Sequence, residues 1–109
     1  MNVQPVRYLV TELPPEMRDA RLWGVYVEWR GSDLWAVVYG DECLNRDGQW
    51  VPETSQSTRN QANYRSTRFS FDEAIEKAKQ AVGQIEVNGI TATQVKTMVE
   101  EQEAAQNDV

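Results

Sequence analysis

Three of the chain's four tryptophans fall within the stretch from Leu22 to Asp41, LWGVYVEWRGSDLWAVVYGD. β-Branched and aromatic residues alternate on both sides of a Gly-Ser pair, which predicts one long β-hairpin. With Gly31 and Ser32 as a two-residue loop, Gly31 supplies the positive φ that a type II′ turn needs at its first central position. Arg30 then faces Asp33, and the register continues through Trp29 with Leu34, Val27 with Ala36, Val25 with Val38 and Trp23 with Gly40. One face collects Trp23, Val25, Val27, Trp29, Leu34, Ala36 and Val38 and reads as core. The other collects Tyr26, Glu28, Arg30, Asp33, Trp35, Val37 and Tyr39. Its three aromatics, Tyr26, Trp35 and Tyr39, are either covered by another element or form a binding surface, since such residues anchor interfaces.

At 109 residues with 40% hydrophobic content, the chain suits one domain with a core of its own. A formal charge of −6 disfavours broad contact with duplex phosphates and suits a basic partner surface. No apolar run approaches bilayer-spanning length, so no membrane association is expected. The start MNVQPVRYLV lacks the regions of a signal peptide, and the expected compartment is the cytoplasm. The single cysteine, Cys43, has no internal partner and reads as a buried strand residue. Without histidine the chain lacks the parts of a Ser/His/Asp or Cys/His centre and of a Cys/His zinc site.

Upstream, VRYLVTEL over Val6–Leu13 alternates as a strand, stopped by Pro14 and Pro15, with a short helical turn from Pro15 before Arg21. After Tyr39, Gly40-Asp41-Glu42 breaks the alternation as a bulge or bend. Asp47-Gly48 as a type I′ turn then predicts a second hairpin in which Asn45 faces Trp50 and Leu44 faces Val51. ETSQSTRNQAN, residues 53–63, reads as a solvated loop, and YRSTRF, residues 64–69, as a strand.

Ser70 followed by Glu73 is a capping box, and Phe71, Ala74, Ile75, Ala78, Ala81, Val82 and Ile85 recur at helical spacing behind it. This helix is expected to pack on the sheet, with Glu73 and Lys77 as an i,i+4 pair and Gly83 near its end. A short strand over Ile85–Val87 and an Asn88-Gly89 turn precede a second helix starting near Ala92, signalled by Thr91 with Gln94. Its apolar stripe, Val95, Met98 and Val99, is thin. Residues 1–99 form the expected domain, and the acidic stretch 100–109 is expected to fray, because acids at a helix carboxyl end oppose its dipole.

Charge is uneven: Thr54–Phe71 holds Arg59, Arg65 and Arg68 and no acid, whereas residues 70–109 hold eight acids and three lysines. With Tyr64 this positive island is a candidate anion, phosphate or nucleic-acid contact. Alternatively these arginines neutralise Asp41, Glu42 or Glu53. No phosphate loop, calcium loop, nuclease triplet or dinucleotide fingerprint is present. An enzyme using Asp41 or Glu42 with Tyr39 or Arg68 is the minor alternative; otherwise no catalytic, metal or cofactor site is expected.

The block C-L-N-R-D-G-x-W at Cys43–Trp50, preceded by W-A-V-V and followed by a polar loop and R-F-S-F-D-E-A, resembles small uncharacterised proteins of actinobacteria and their phages. The resemblance spans roughly Trp23–Ala92 and implies a phage or prophage accessory protein. R-F-S-F-D-E-A-I-E-K-A-K-Q-A-V is similar to the strand-to-helix step of HicB-like antitoxins, which implies antitoxin-like regulation; with the positive island, the alternative expectation is a regulatory nucleic-acid or nucleotide binder using Arg59, Arg65 and Arg68. The expected fold is α+β: a mainly antiparallel sheet of four to five strands, the Ser70 helix across one face, and a second helix at the carboxyl end. The leading functional expectation is a non-enzymatic accessory or inhibitor protein that occupies a host protein. Homodimerisation, by edge strands or by the mixed aromatic face, is compatible with either.

Overall fold

The computed structural model describes residues 1–14, 16–53 and 61–107. Five strands, β1 (Arg7–Thr11), β2 (Gly24–Trp29), β3 (Trp35–Tyr39), β4 (Glu42–Leu44) and β5 (Trp50–Pro52), follow one another as an antiparallel meander. Helix α1 (Gln61–Ser66) leads to Phe69, which bridges Trp35 of β3; α2 (Phe71–Val82) then crosses the sheet. The strands β6 (Glu86–Val87) and β7 (Ile90–Thr91) form a small hairpin before α3 (Ala92–Asn107). The fold is α+β, with an amphipathic helix on one sheet face and a helix at the carboxyl end, as the sequence predicts.

The starts of α2 and α3 follow from side-chain caps. Ser70 Oγ accepts from the Glu73 amide, and Asp72 and Glu73 lie in the first turn of α2. Glu73 does not bond back to Ser70; its carboxylate pairs with Arg46 at 3.0 Å, and Lys77, its expected partner, donates to the Arg46 carbonyl instead. At α3 the exchange is reciprocal: the Gln94 side chain accepts from the Thr91 amide at 2.8 Å and Thr91 Oγ1 accepts from the Gln94 amide at 3.3 Å.

Buried Ala74, Ala78 and Ala81 let α2 approach Val25, Val27, Trp35, Val37, Leu44 and Phe69, the main core. A smaller cluster of Leu13, Ala20 and Ala92 seats the base of α3 against the segment between β1 and β2, which includes a 3₁₀ turn at Ala20–Trp23. Trp23 Nε1 donates to the Ile90 carbonyl at 2.7 Å, tying the start of β2 to the small hairpin. Beyond Val95, α3 is largely exposed, and the acidic stretch expected to fray is helical through Asn107. No described helix is long and apolar enough to cross a membrane.

The register of the tryptophan hairpin differs from expectation by one residue. Trp29 faces Trp35, Glu28 faces Ala36, Val27 faces Val37 and Tyr26 faces Val38. Gly31, Ser32 and Asp33 form a three-residue loop in which Gly31 and Ser32 both take positive φ, closed by the Arg30 amide donating to the Leu34 carbonyl at 2.7 Å. Because side chains alternate with period two, this shift turns the whole of β3 over. Trp35, Val37 and Tyr39 join Val25 and Val27 toward α2, and Ala36 and Val38 turn to the other face with Tyr26 and Cys43.

The Cys43–Trp50 hairpin is shifted in the same way: Leu44 faces Trp50 and Cys43 faces Val51. Asn45 Oδ1 accepts from the amides of Asp47 and Gln49, and Gly48 at φ 81° completes a three-residue loop. Gly40-Asp41, expected as a bulge or bend, is a tight reversal, since Tyr39 pairs directly with Glu42. The expected strand over residues 64–69 is replaced by α1 and the single bridge at Phe69. Residues 54–60 of the expected loop, with Arg59, and Pro15 at the head of the expected helical turn lie outside the described residues.

Candidate binding face

Helix α2 covers one face of the sheet with most of the aromatic residues; the opposite face carries the charged residues and Tyr26. Antiparallel pairing sets Arg7 of β1 beside Glu28 of β2, and Arg30, two residues on, keeps to the same face. Val51 faces Cys43, so Glu53 beyond it reaches that face too, and Arg68, adjacent to the Phe69 bridge, points there from the far side.

These five residues form one alternating chain of charge. Arg7 Nε lies 3.2 Å from Glu28, whose other oxygen is 3.2 Å from Arg30 Nη1. Arg30 grips Glu53 with two contacts, Nε at 2.7 Å and Nη2 at 3.0 Å, and Arg68 Nη2 meets the same carboxylate at 3.0 Å. Such forked arginine–carboxylate contacts are the strong, directional kind. Arg68 is the buried end, its side chain 5% exposed, and it also donates to Thr67 and stacks 4.5 Å over the Tyr64 ring. Among the described residues its Nε has no hydrogen-bond partner.

The electrostatics follow from this geometry. The hydrogen bond from Arg30, reinforced by the charges of Arg30 and Arg68 and opposed by partial burial, holds the Glu53 carboxyl down at about 2. Arg30 is held protonated by the same bond. Burial, helped by the negative charge of Glu53, pushes the Cys43 thiol up to about 11. Cys43 is therefore a protonated, buried thiol at neutral pH, as expected of a strand residue.

The predicted site residues separate. Tyr26 alone of the three hairpin aromatics lies on this face, half-buried with the Arg7 guanidinium 3.7 Å over its ring. Trp35 is 7% exposed under α2, with Phe71 at 5.0 Å and Tyr8 at 5.9 Å between ring centroids. Tyr39 packs with Trp50 on that same side, and its hydroxyl donates to the Leu22 carbonyl at 3.4 Å. At the end of the sheet, however, Tyr39 and Tyr26 both line a hollow of about 370 Å³ with Arg21, Leu22, Gly24 and Gly40. Of the arginine island, Arg65 is exposed, Tyr64 is half-buried and Arg68 is buried on Glu53.

Sequence reasoning set Glu28 and Arg30 on the face of Tyr26 and named Glu53 among the acids that the arginine island could neutralise, as Arg68 does; it passed over Arg7 and Leu22. Glu28 and Arg30, two apart in one strand, were the signal for its charged half. For Leu22, 43% exposed, nothing in the sequence distinguishes it from a core residue. No group of three or more Cys, Asp or Glu suited to a metal ion occurs among the described residues. No family model, curated protein or solved structure matches the chain.

Proposed function

We propose that the chain is a non-enzymatic protein-binding domain, an accessory or inhibitor protein that occupies a host protein through the open face of its sheet. The observation that carries this reading is the apolar hollow at Leu22, Tyr26 and Tyr39, flanked by exposed Leu9 and held in place by the arginine–glutamate chain. An aromatic ring fixed by a stacked guanidinium loses little freedom on docking, so its contact area converts efficiently into affinity. The resemblance around Cys43–Trp50 supports a phage-encoded origin and hence a host target.

Nucleic-acid recognition has less support. Arg30 and Arg68 are already committed to Glu53, and phosphate contacts depend on arginines free to neutralise phosphate. The test is affinity capture from actinobacterial lysate with the wild-type chain beside a Tyr26→Ala, Leu22→Ser double variant of unchanged circular dichroism. A protein enriched by the wild type and lost with the variant supports the reading. Background proteins alone, or equal capture by both, would end it.

A further inference from the structure

The two ends of the sheet are unlike. β5 has three residues and finishes in Pro52, a short and blocked edge of the kind that resists pairing. β1 has five residues, RYLVT, with no proline or lysine, and Tyr8 and Leu9 are 36% and 37% exposed. No described strand pairs with its outer side.

Which backbone groups face outward follows from the ladder. The Trp29 amide donates to the Val6 carbonyl at 2.9 Å, which makes Val6 with Trp29 a hydrogen-bonded pair. Bonded pairs alternate, so Tyr8 with Val27 and Val10 with Val25 are the next two. Arg7, Leu9 and Thr11 therefore direct their amides and carbonyls away from the sheet.

We propose that this edge is a homodimer seam, where β1 of two copies pairs antiparallel about a two-fold axis at Leu9 to give a continuous ten-stranded sheet. In that register Leu9 faces Leu9 of the second copy and each Arg7 faces Thr11. All three outward residues of both strands are then bonded; any other centre leaves at least one without a partner strand residue. The arrangement also sets no like charges opposite one another, because Arg7, the strand's one charged side chain, meets threonine. Centring on Arg7 would oppose two arginines. On the helix side, Tyr8, which already touches Trp35 and Phe71, meets Val10 of the second copy and extends the apolar core across the axis. A self-complementary strand of this kind makes a closed two-fold contact.

Sedimentation equilibrium of the full chain across a wide concentration range tests this, together with amide exchange by NMR. The expected result is a concentration-dependent species of twice 12.5 kDa in which the Arg7, Leu9 and Thr11 amides are protected. Leu9→Pro removes one outward donor without touching the bonds to β2, and Leu9→Lys places two charges at the axis. Both variants should be monomeric, with association weakened at least tenfold relative to wild type. Should Leu9→Pro fail to fold, Leu9→Lys decides. A wild-type monomer at every concentration, a dimer with unprotected amides at 7, 9 and 11, or a dimer that survives Leu9→Lys would each overturn the proposal.

Discussion

Val25 and Val27 of β2 point toward α2 with Trp35 and Val37 of β3, while Tyr26, Glu28, Ala36 and Val38, their neighbours in the same two strands, point the other way. The first group is closed by a helix whose alanines fit against it. Among the described residues, the second group is covered by Arg7 stacked on Tyr26 and by Arg30 and Arg68 gathered on Glu53 above Cys43. Ala36 and Cys43 are nevertheless as buried as Val25. One sheet thus shows two ways to exclude water: by apolar area, which is indifferent to pH and salt, and by paired charges, which are not.

The largest expected effect lies on the helix face. Phe69, 1% exposed, fills the core beside Trp35, and Phe69→Ala should cost about 3–5 kcal/mol by the loss of transfer energy and the cavity left behind. Urea unfolding at neutral pH measures it. The loss should be the same in low and high salt; a salt-dependent loss would mean the two faces are not separable.

Glu53→Gln should be the most damaging change on the open face. It leaves Arg68 buried without its counter-charge and takes a forked contact from Arg30, and since Glu53 itself is partly solvated the cost should be about 2–3 kcal/mol, below that of breaking a fully buried pair. Equilibrium unfolding at low salt tests this. A loss under half a kcal/mol would show that the chain of charge only decorates a face already closed by Tyr26 and Tyr64.

These two faces were unequally legible in the sequence. The helix side was clear where polar caps mark boundaries: Ser70 before α2 and Thr91 with Gln94 before α3 each announce a start through a local side-chain bond. Hairpin register was not legible, because WAVVY is apolar at both parities. Trp35, Val37 and Tyr39 make as good a core row as Ala36 and Val38, so a one-residue slip violates no hydrophobic pattern. The same holds for Cys43-Leu44 against Trp50-Val51, where the Asn45 side chain selects a three-residue loop over the Asp47-Gly48 turn. That slip assigned Trp35 to the wrong face and dispersed the expected aromatic patch. The charge chain joins residues as far apart as Arg7 and Arg68, and only the correct register brings them together.

A pH series separates the two modes of closure further. The folded-state carboxyl of Glu53 titrates at about 2, below its ordinary value of 4.5, so its ionised form is favoured by folding. Its contribution is fully present above pH 4.5 and is lost as pH falls from 4.5 toward 2. Discounted for its solvent exposure, that contribution should be about 1–2 kcal/mol. The stability gap between wild type and Glu53→Gln should narrow over that window, while the gap between wild type and Phe69→Ala stays constant. Parallel curves for wild type and Glu53→Gln would show that Arg30 and Arg68 do not depress this carboxyl.

The smallest effect expected is that of Glu28→Gln, and it decides whether the chain of charge acts as a unit. Glu28 lies between Arg7, whose side chain is 57% exposed, and Arg30, which keeps both contacts to Glu53 when Glu28 is neutralised. If the links act independently, only an exposed pair and one further contact are lost, and the cost should be about 0–1 kcal/mol, vanishing in high salt. If the links polarise one another, Glu28→Gln would loosen Arg30 and be felt at Glu53. The double variant Glu28→Gln, Glu53→Gln distinguishes the two: additive losses mean that Arg7 and Glu28 merely rim the Tyr26 hollow. A coupling larger than the Glu28→Gln loss itself would make the open face one cooperative lid, closed from Arg7 to Arg68.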